Sequence, residues 1–537
     1  MSVLSSAAPQ RVPMLYVSLI VEALRARPVL MFWIATLAQG LLWTLVPALF
    51  YAAPPGNVPV VLAVGREWLL GSPYGPPLTY WLAELAFQIG GRHITALYVL
   101  SQLCVIVTFW AVFALGRRIV GAAHAAMAIL LMTGIAAFTV PTLEFGPIVL
   151  AMPLTALAFL FTYRAIVDNT RADWLALGIT LGFLTLTTYA GLILVALIFL
   201  FIAASARGRS RLRSPDPWGA LLIMVAVNGP HLYWFYRTGT SPLPAAETLA
   251  QLFVSEQRLW SWLTLVLWLV FSHAGLIVLM AVAGGMLVSA RTPAPVFERQ
   301  PVEPFARSYV YFFAIAPAFL ATLVAVLFNR TAPVVGAGPL VILSGLAVIV
   351  ASGDAIKLYR QRIGSLVWLA LLLGPPAIIV GATLSLPWTV AVELEVSKPA
   401  NQMAEYFTDT FRRRTGKPLA IVVGDARTAG LVAFASSDRP KLYLDGEPER
   451  APWMGPDEVS QKGAVVMWTA TDTRGTPPAH LAEQFPDLVP EVPRAFARTV
   501  QGRMALLRIG WAVIRPRGDE PVAPPAASPP AEEPKAQ

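Results

Sequence analysis

A few polar side chains interrupt an otherwise apolar chain, and they gather where apolar runs end. Asn57, Arg66, Glu67, Tyr80 and Glu84 follow the first run; Glu144 lies in PTLEFG; Tyr189 opens a Tyr-Ala-Gly turn; Asn228, His231 and Arg237 lie in NGPHLYWFYRTG. A carboxylate within hydrogen-bond reach of a hydroxyl or amine can take its proton as a general base. A guanidinium can donate two hydrogen bonds to one phosphate. Glu67 and Glu144 are therefore candidate bases, and Arg66 and Arg237, with His231 beside them, candidate anion contacts. Plainer roles exist for the same residues: a solvated face for Arg66-Glu67, a capping or core histidine for His231, a snorkelling side chain for Arg237. Glu144 resists such a reading, as the only charge in a very short turn between apolar runs.

The elements that must position these groups are membrane helices. Hydrophobic residues make up 56% of the 537, charged residues only 13%, and mean hydropathy is +0.62. A soluble domain carries about a quarter charged residues. The apolar runs are near the length a helix needs to cross hydrocarbon. They fall at 29–51, 94–115, 121–140, 147–163, 173–188, 191–206, 217–236, 262–290, 308–328, 335–352 and 364–390. About eleven spans would put the two termini on opposite sides. Alternate loops carry Arg117 and Arg118, Arg164 and Arg171, the Arg207–Arg213 cluster, Arg291 to Arg307, and Lys357 to Arg362. The positive-inside rule then places residues 1–28 in the cytoplasm, the spans in 29–392, and segment 52–93 outside. The same asymmetry accounts for the +9 charge without nucleic acid, and no basic stripe with interleaved aromatics is present. The single cysteine, Cys104, excludes an intramolecular disulfide and any CxxC site. The five histidines show no HExxH spacing, so no metal ligand set is assigned, although a divalent metal is compatible with the chemistry.

Segment 52–93 is longer than a plain connection needs to be. Val58, Val61, Leu62, Val64, Trp68 and Leu69 have helical spacing, and Leu78–Ile89 forms a second amphipathic stretch after Pro76-Pro77. Two short helices in the interface plane fit this pattern. Pro76, Pro77, Tyr80, Trp81 and Glu84, with Tyr189 from the later turn, are expected to wall a pocket at the membrane surface. From about 393 charged residues become frequent and helices alternate with strands at 419–423, 441–444, 464–468 and 504–514. That pattern predicts a small α/β domain over 393–515, outside the membrane, followed by a disordered Pro/Ala-rich tail at 516–537. Gly424-Asp425 after a strand lacks the further glycines of a nucleotide loop.

With GREWLLGSPYGPPLTYWLAELAF after the first span, then GRRIVG, then WLALGITLGFLTLTTYAGLIL and PWGALLIMVAVNGPHLYWFYRTG, the chain resembles the integral-membrane glycosyltransferases of the C fold. The closest group within them is the bacterial lipid A aminoarabinose and galacturonic acid transferases, related to protein O-mannosyltransferases. The resemblance implies an outward-facing pocket that takes a sugar from a polyprenyl-phosphate donor and passes it to a lipid or glycan acceptor. It also implies an acidic pair early in the first outer loop, which falls here on Asn57-Val58. The basic residue before Pro-Pro is Gly75, and the Lys-Tyr after the fifth span is Thr188-Tyr189. Asn57, Glu67 and Glu144 are thus the catalytic candidates, and Arg66, Arg237 and His231 the contacts for the donor phosphate. Two other readings compete: a family member that binds lipid-linked sugar or a partner enzyme without turnover, and a transporter. Against transport stand the absence of repeated halves and of charges in mid-span.

Overall fold

The structure is a computed structural model that describes residues 13–240, 258–284, 296–328, 337–392, 394–470, 472–500 and 502–517. Arg291, part of the N-terminal segment and nearly all of the tail expected at 516–537 lie outside the described residues. Two compact units emerge, one running to Lys398 and taking in Thr499–Met504, the other holding Pro399–Arg498 and the chain from Ala505.

The first unit is helical. It begins with α1 (Pro13–Ala26), α2 (Pro28–Phe50), α3 (Val58–Arg66), α4 (Leu78–Ile89), α5 (Thr95–Val120) and α6 (Ala122–Met132). It continues with α7 (Pro147–Val167), α8 (Arg171–Thr185), α9 (Gly191–Ala204), α10 (Ala206–Arg211), α11 (Asp216–Val227) and α12 (Gly229–Thr238). Then come α13 (Arg258–Ser272), α14 (Ala274–Ala283), β1 (Val296–Glu298), α15 (Pro304–Leu327), α16 (Ser344–Ala351), β2 (Ala355–Lys357) and α17 (Gln361–Thr389). Among the described residues five helices, α2, α5, α7, α15 and α17, are long and apolar enough to cross a membrane. Counting each bent pair as one span raises the number to seven: α6 with residues 136–143, bent by 85°, and Leu259–Ser272 with α14, bent by 49°. The described parts of all eleven apolar runs lie on helices, but several helices are short or broken. At the breaks Gly134 and Gly275 lie back to back, and a Cβ on Gly134 would stand 3.0 Å from the Gly275 backbone. Small residues permit such backbone approach between membrane helices.

The two short helices of segment 52–93 form as α3 and α4, with different surroundings. Val58, Val60, Val61, Leu62 and Val64 are all buried, so α3 is enclosed nearly all round rather than lying with one face in lipid. Gly65 makes this fit, because its missing side chain leaves room for the Tyr80 carbonyl of α4. Trp68, expected on the apolar face, instead leaves the helix at φ 48° and is exposed. On α4, Thr79, Tyr80, Ala83, Glu84 and Phe87 are buried, while Leu85 and Ile89 remain exposed. Exposed leucine and isoleucine on an outward helix face suit contact with lipid.

The second unit carries a five-stranded sheet of β3 (Ile421–Gly424), β4 (Lys441–Leu444), β5 (Ala464–Thr469), β6 (Arg494–Phe496) and β7 (Leu507–Ile514), in the order β4-β3-β5-β7-β6. β3 runs parallel to β4 and β5, and β7 runs antiparallel to β5 and β6. AVVMW reads as a continuous apolar run because β5 is buried on both faces. Ala464, Val466 and Trp468 pack into one cluster with Ile421, Val423 and Leu481. Elsewhere in the unit the helix Ala400–Thr415 brings Phe407 against Phe496 and Trp511.

Just before β5, Glu458 accepts from Lys462 at 2.7 Å and pairs with Lys441 at 3.1 Å. Burial alone would push its carboxyl up; the Lys462 ammonium, the Gly455 N–H and Lys441 more than reverse this and hold it down at about 2. A depressed folded-state value stabilises the fold above the ordinary carboxyl range, and that contribution is lost as pH falls toward the folded value. Glu458→Gln should therefore reduce hydrogen-exchange protection of β4 and β5 at pH 7. The difference from the unsubstituted protein should narrow as pH falls below 4, and a pH-independent difference would contradict this.

Candidate active site where the helix-connecting loops converge

The site is built from chain turns rather than from helix interiors. α2 ends at Phe50, and the N–H groups of Ala52 and Ala53 both donate to the Val396 carbonyl, at 2.8 and 3.0 Å. The chain then turns at Gly56, whose φ of +54° favours glycine. There the carboxylate of Glu144, from the start of α7, accepts the Asn57 N–H at 2.8 Å. A Cβ on Gly56 would stand 2.5 Å from Glu144 Oε1, so the carboxylate is seated directly on the turn. Asn57 is the N-cap of α3 but makes no side-chain cap of its own. Glu144 satisfies one of the orphan donors there and places negative charge at the positive end of the helix. Asn57 and Glu144, two of the catalytic candidates, are thus in contact.

A second cluster forms around His231. Its Nδ1 is 2.8 Å from the Leu70 carbonyl and its Nε2 is 3.1 Å from the Tyr189 hydroxyl. A carbonyl only accepts, so Nδ1 carries a proton, and in the neutral ring Nε2 accepts from Tyr189. The ring also stacks on Trp234, with planes 6° apart, and a Cβ on Gly71 would come within 2.5 Å of that indole. Both ring nitrogens are thereby occupied. His231 supports Tyr189 and the Leu70–Gly71 turn, and does not present a free nitrogen to a phosphate as the sequence suggested.

The segment between them is locked to this cluster. Trp81 Nε1 donates to the Leu69 carbonyl at 2.9 Å, the Tyr80 hydroxyl donates to the Tyr74 carbonyl at 2.8 Å, and Leu78 N–H donates to Leu186 at 3.0 Å. Pro76 and Pro77 are buried ahead of α4, with Pro77 as its N-cap. Burial, then the phenols of Tyr74 and Tyr189, push the Tyr80 phenol far up. Burial pushes the Tyr189 phenol up to about 12, so both remain hydrogen donors at neutral pH. Asn228 donates to Thr185 Oγ1 at 2.7 Å and ties the start of α12 to the end of α8.

The remaining candidates are more dispersed. Glu84 is buried and accepts from Gln88 at 2.8 Å. Arg66 and Glu67 are half-buried, each with interactions of its own. Arg237 is exposed, its guanidinium over the Tyr233 ring of its own helix. Among the described residues no group of three or more His, Cys, Asp or Glu is placed to hold a metal ion.

Beside the Tyr189 turn opens an apolar cavity of about 660 Å³. Pro147 and Ile148 of α7, Leu194 and Leu197 of α9, and Val324 and Phe328 on α15 and just beyond it contribute to its walls. Thr188 and Tyr189 give it polar atoms at one end. Of the catalytic, phosphate-binding and pocket-wall candidates, Tyr189 alone lines it, while Glu144 lies three positions before Pro147. Thr188 was visible in the sequence as a departure from the family pattern. The aromatic stack of Trp234 and Phe235 was foreshadowed only by their i+3 and i+4 spacing from His231.

The comparisons agree with this architecture. Residues 74–234 match the family model described as dolichyl-phosphate-mannose-protein mannosyltransferase. The lipopolysaccharide core galacturonosyltransferase RgtB of Rhizobium johnstonii is 24% identical over 428 residues, covering 76% of this chain and 80% of that protein. The crystal structure of ArnT from Cupriavidus metallidurans bound to undecaprenyl phosphate aligns with a TM-score of 0.56 at 12% identity, covering 90% of this chain and 98% of that one. The chain is a helical membrane protein with the fold of ArnT, and its resemblance to the C-fold membrane glycosyltransferases holds in family model, relative and fold alike.

Gly71→Ala should force Trp234 and His231 apart, at a cost of about 1–3 kcal/mol. A fall in the thermal midpoint of the detergent-solubilised protein checks this; an unchanged midpoint would mean the stack is looser than the distances state.

Proposed function

We propose that this protein transfers a sugar from a polyprenyl-phosphate donor to a lipid A-like lipid or another envelope glycan, on the periplasmic side of the bacterial inner membrane. The observation that carries the reading is the 660 Å³ apolar cavity with Thr188 and Tyr189 at its polar end. An isoprenoid chain needs apolar walls, and its phosphate needs hydrogen donors at the mouth. That ArnT was crystallised with undecaprenyl phosphate supports the same ligand class, and the name of RgtB supports a lipopolysaccharide acceptor. The arginine-rich loops favour a cytoplasmic N-terminus, with segment 52–93 and the 393–515 domain outside.

In this reading Glu144 is the base. Asn57 N–H occupies Oε1, which leaves Oε2 to take the proton from an acceptor hydroxyl or amine. The acceptor atom attacks the anomeric carbon, and the bond from that carbon to the donor phosphate oxygen breaks, releasing polyprenyl phosphate. Charge develops on that phosphate as it leaves, so donors aimed at it accelerate the step. Tyr189 supplies one by turning its O–H from His231 Nε2 to the phosphate. Arg237, six residues along α12 from His231, can supply charge by swinging away from Tyr233, and Arg66 is the second candidate cation. Glu144 also answers the departure at position 57, because its carboxylate lies against the residue where the family's acid is expected.

Glu144→Gln retains an acceptor for Asn57 N–H but loses the base, and transfer in membranes should fall by about 10²–10⁴-fold. Glu67→Gln should stay within tenfold of the unsubstituted protein; the reverse ranking would reassign the base to Glu67, and full activity in both would remove the assignment. Tyr189→Phe should lower the turnover rate by about 3–10-fold, because a donor to the leaving phosphate is lost in the transition state. The competing reading, binding of lipid-linked sugar without turnover, is favoured by the non-acidic Asn57. It predicts donor binding with no transfer in any of these proteins.

A further inference from the structure

A polar cavity lies at the other end of the same helices. Tyr163, which lines it, is 16 residues along α7 from Pro147, a separation of about 24 Å at 1.5 Å per residue. Here α5 ends on Arg117 and Arg118, Gly121 reverses the chain with φ +81°, and α6 begins at Ala122. The cavity holds about 480 Å³, and its charged lining residues are Arg117, Arg118, Arg299, Glu298 and Glu303, with His124 among them.

Much of this charge is already matched. Arg118 pairs with Asp168 at 2.5 Å, Glu303 with Arg207 at 2.6 Å, and Arg299 with Asp354 at 3.5 Å. What remains is a surplus of hydrogen donors. The Arg299 side chain is 4% exposed, and one of its terminal nitrogens, Nη1, has no hydrogen-bond partner among the described residues. Arg117 makes no ion pair among the described residues, its guanidinium lying 5.8 Å from the Phe113 ring. The first N–H groups of α6, at Ala122, Ala123 and His124, have no acceptor within the helix and stand at the positive end of its dipole. A buried donor left without an acceptor costs the desolvation of that group. A ligand rich in acceptors and carrying negative charge would remove that cost at several donors together.

We propose that this cavity binds a phosphate group, held by Arg117, Arg299 and the N-terminus of α6, at the end of the bundle remote from Tyr189. The group can belong to the headgroup of an anionic phospholipid or to a free phosphate. The cavity is larger than phosphate alone and has room for a glycerol phosphate. Glu298, an exposed carboxylate in the lining, opposes the bound charge and so provides a variant of opposite sign.

The test uses the full chain in a neutral detergent, with phosphatidylglycerol against phosphatidylcholine in native mass spectrometry and inorganic phosphate in calorimetry. Arg117→Gln should weaken binding by about tenfold, the loss expected for one charge-assisted hydrogen bond. Glu298→Gln should tighten it severalfold. Retention of phosphatidylglycerol that responds to both substitutions, with no binding of inorganic phosphate, identifies a lipid headgroup. Binding of inorganic phosphate with the same two responses identifies a free anion. Binding that is indifferent to both substitutions, or no binding of either probe, overturns the proposal.

Discussion

The contact between the Glu144 carboxylate and the Gly56–Asn57 turn sets the geometry of segment 52–93. It joins the chain leaving α2 to the chain entering α7, across 87 positions of sequence. From that anchor α3 is fixed at its N-terminus, α4 packs on α3 through Gly65, and the loop between them reaches the Leu70–His231 hydrogen bond. A capping contact of this kind is worth about 1 kcal/mol in an ordinary helix. Its structural consequence exceeds that figure, because the order of the segment depends on each contact in turn. The glycine is required by space as well as by φ, since any side chain there would displace the carboxylate.

The helices divide the molecule's chemistry between their ends. Between the ends, side chains such as Phe109, Phe138, Phe159 and Phe313 are fully buried and in aromatic contact. Among the described residues isolated hydrogen bonds such as Trp262 to Thr322 join helix interiors, while the clustered ones lie at the turns, where backbone groups freed from helices need partners. At one end these turns gather Glu144, Tyr189 and His231; at the other they gather arginines and the start of α6. Ionisable groups near a bilayer are costly unless paired or facing a cavity, and the arginine-rich end shows both solutions.

The sequence revealed local order well and long-range contact poorly. Leu78–Ile89 and the AVVMW strand were legible because their periodicity or unbroken apolarity follows directly from burial on one face or two. The enclosure of α3 was not, since its apolar residues satisfy a helical stripe whether one face or nearly all of it is covered. Hydropathy likewise measured the length of apolar runs without showing the bends near Gly134 and Gly275, which depend on one backbone meeting another. Glu144 stood out as a lone charge in a short turn, yet nothing local pointed to Asn57 as its partner. His231 was noticed for its chemistry and given a ligand role, whereas both of its nitrogens are spent on Leu70 and Tyr189. Strand β6, only three residues long, carries too little pattern to be read at all.

Sugar transfer to an envelope lipid is the central claim, and it has a direct chemical readout. Mass spectrometry of lipid A and the other envelope glycolipids should be compared between cells with the gene, cells lacking it and complemented cells. A glycolipid should lose one sugar's mass when the gene is removed and regain it on complementation. Identical glycolipid profiles in all three strains, with the protein present in the membrane, would contradict it.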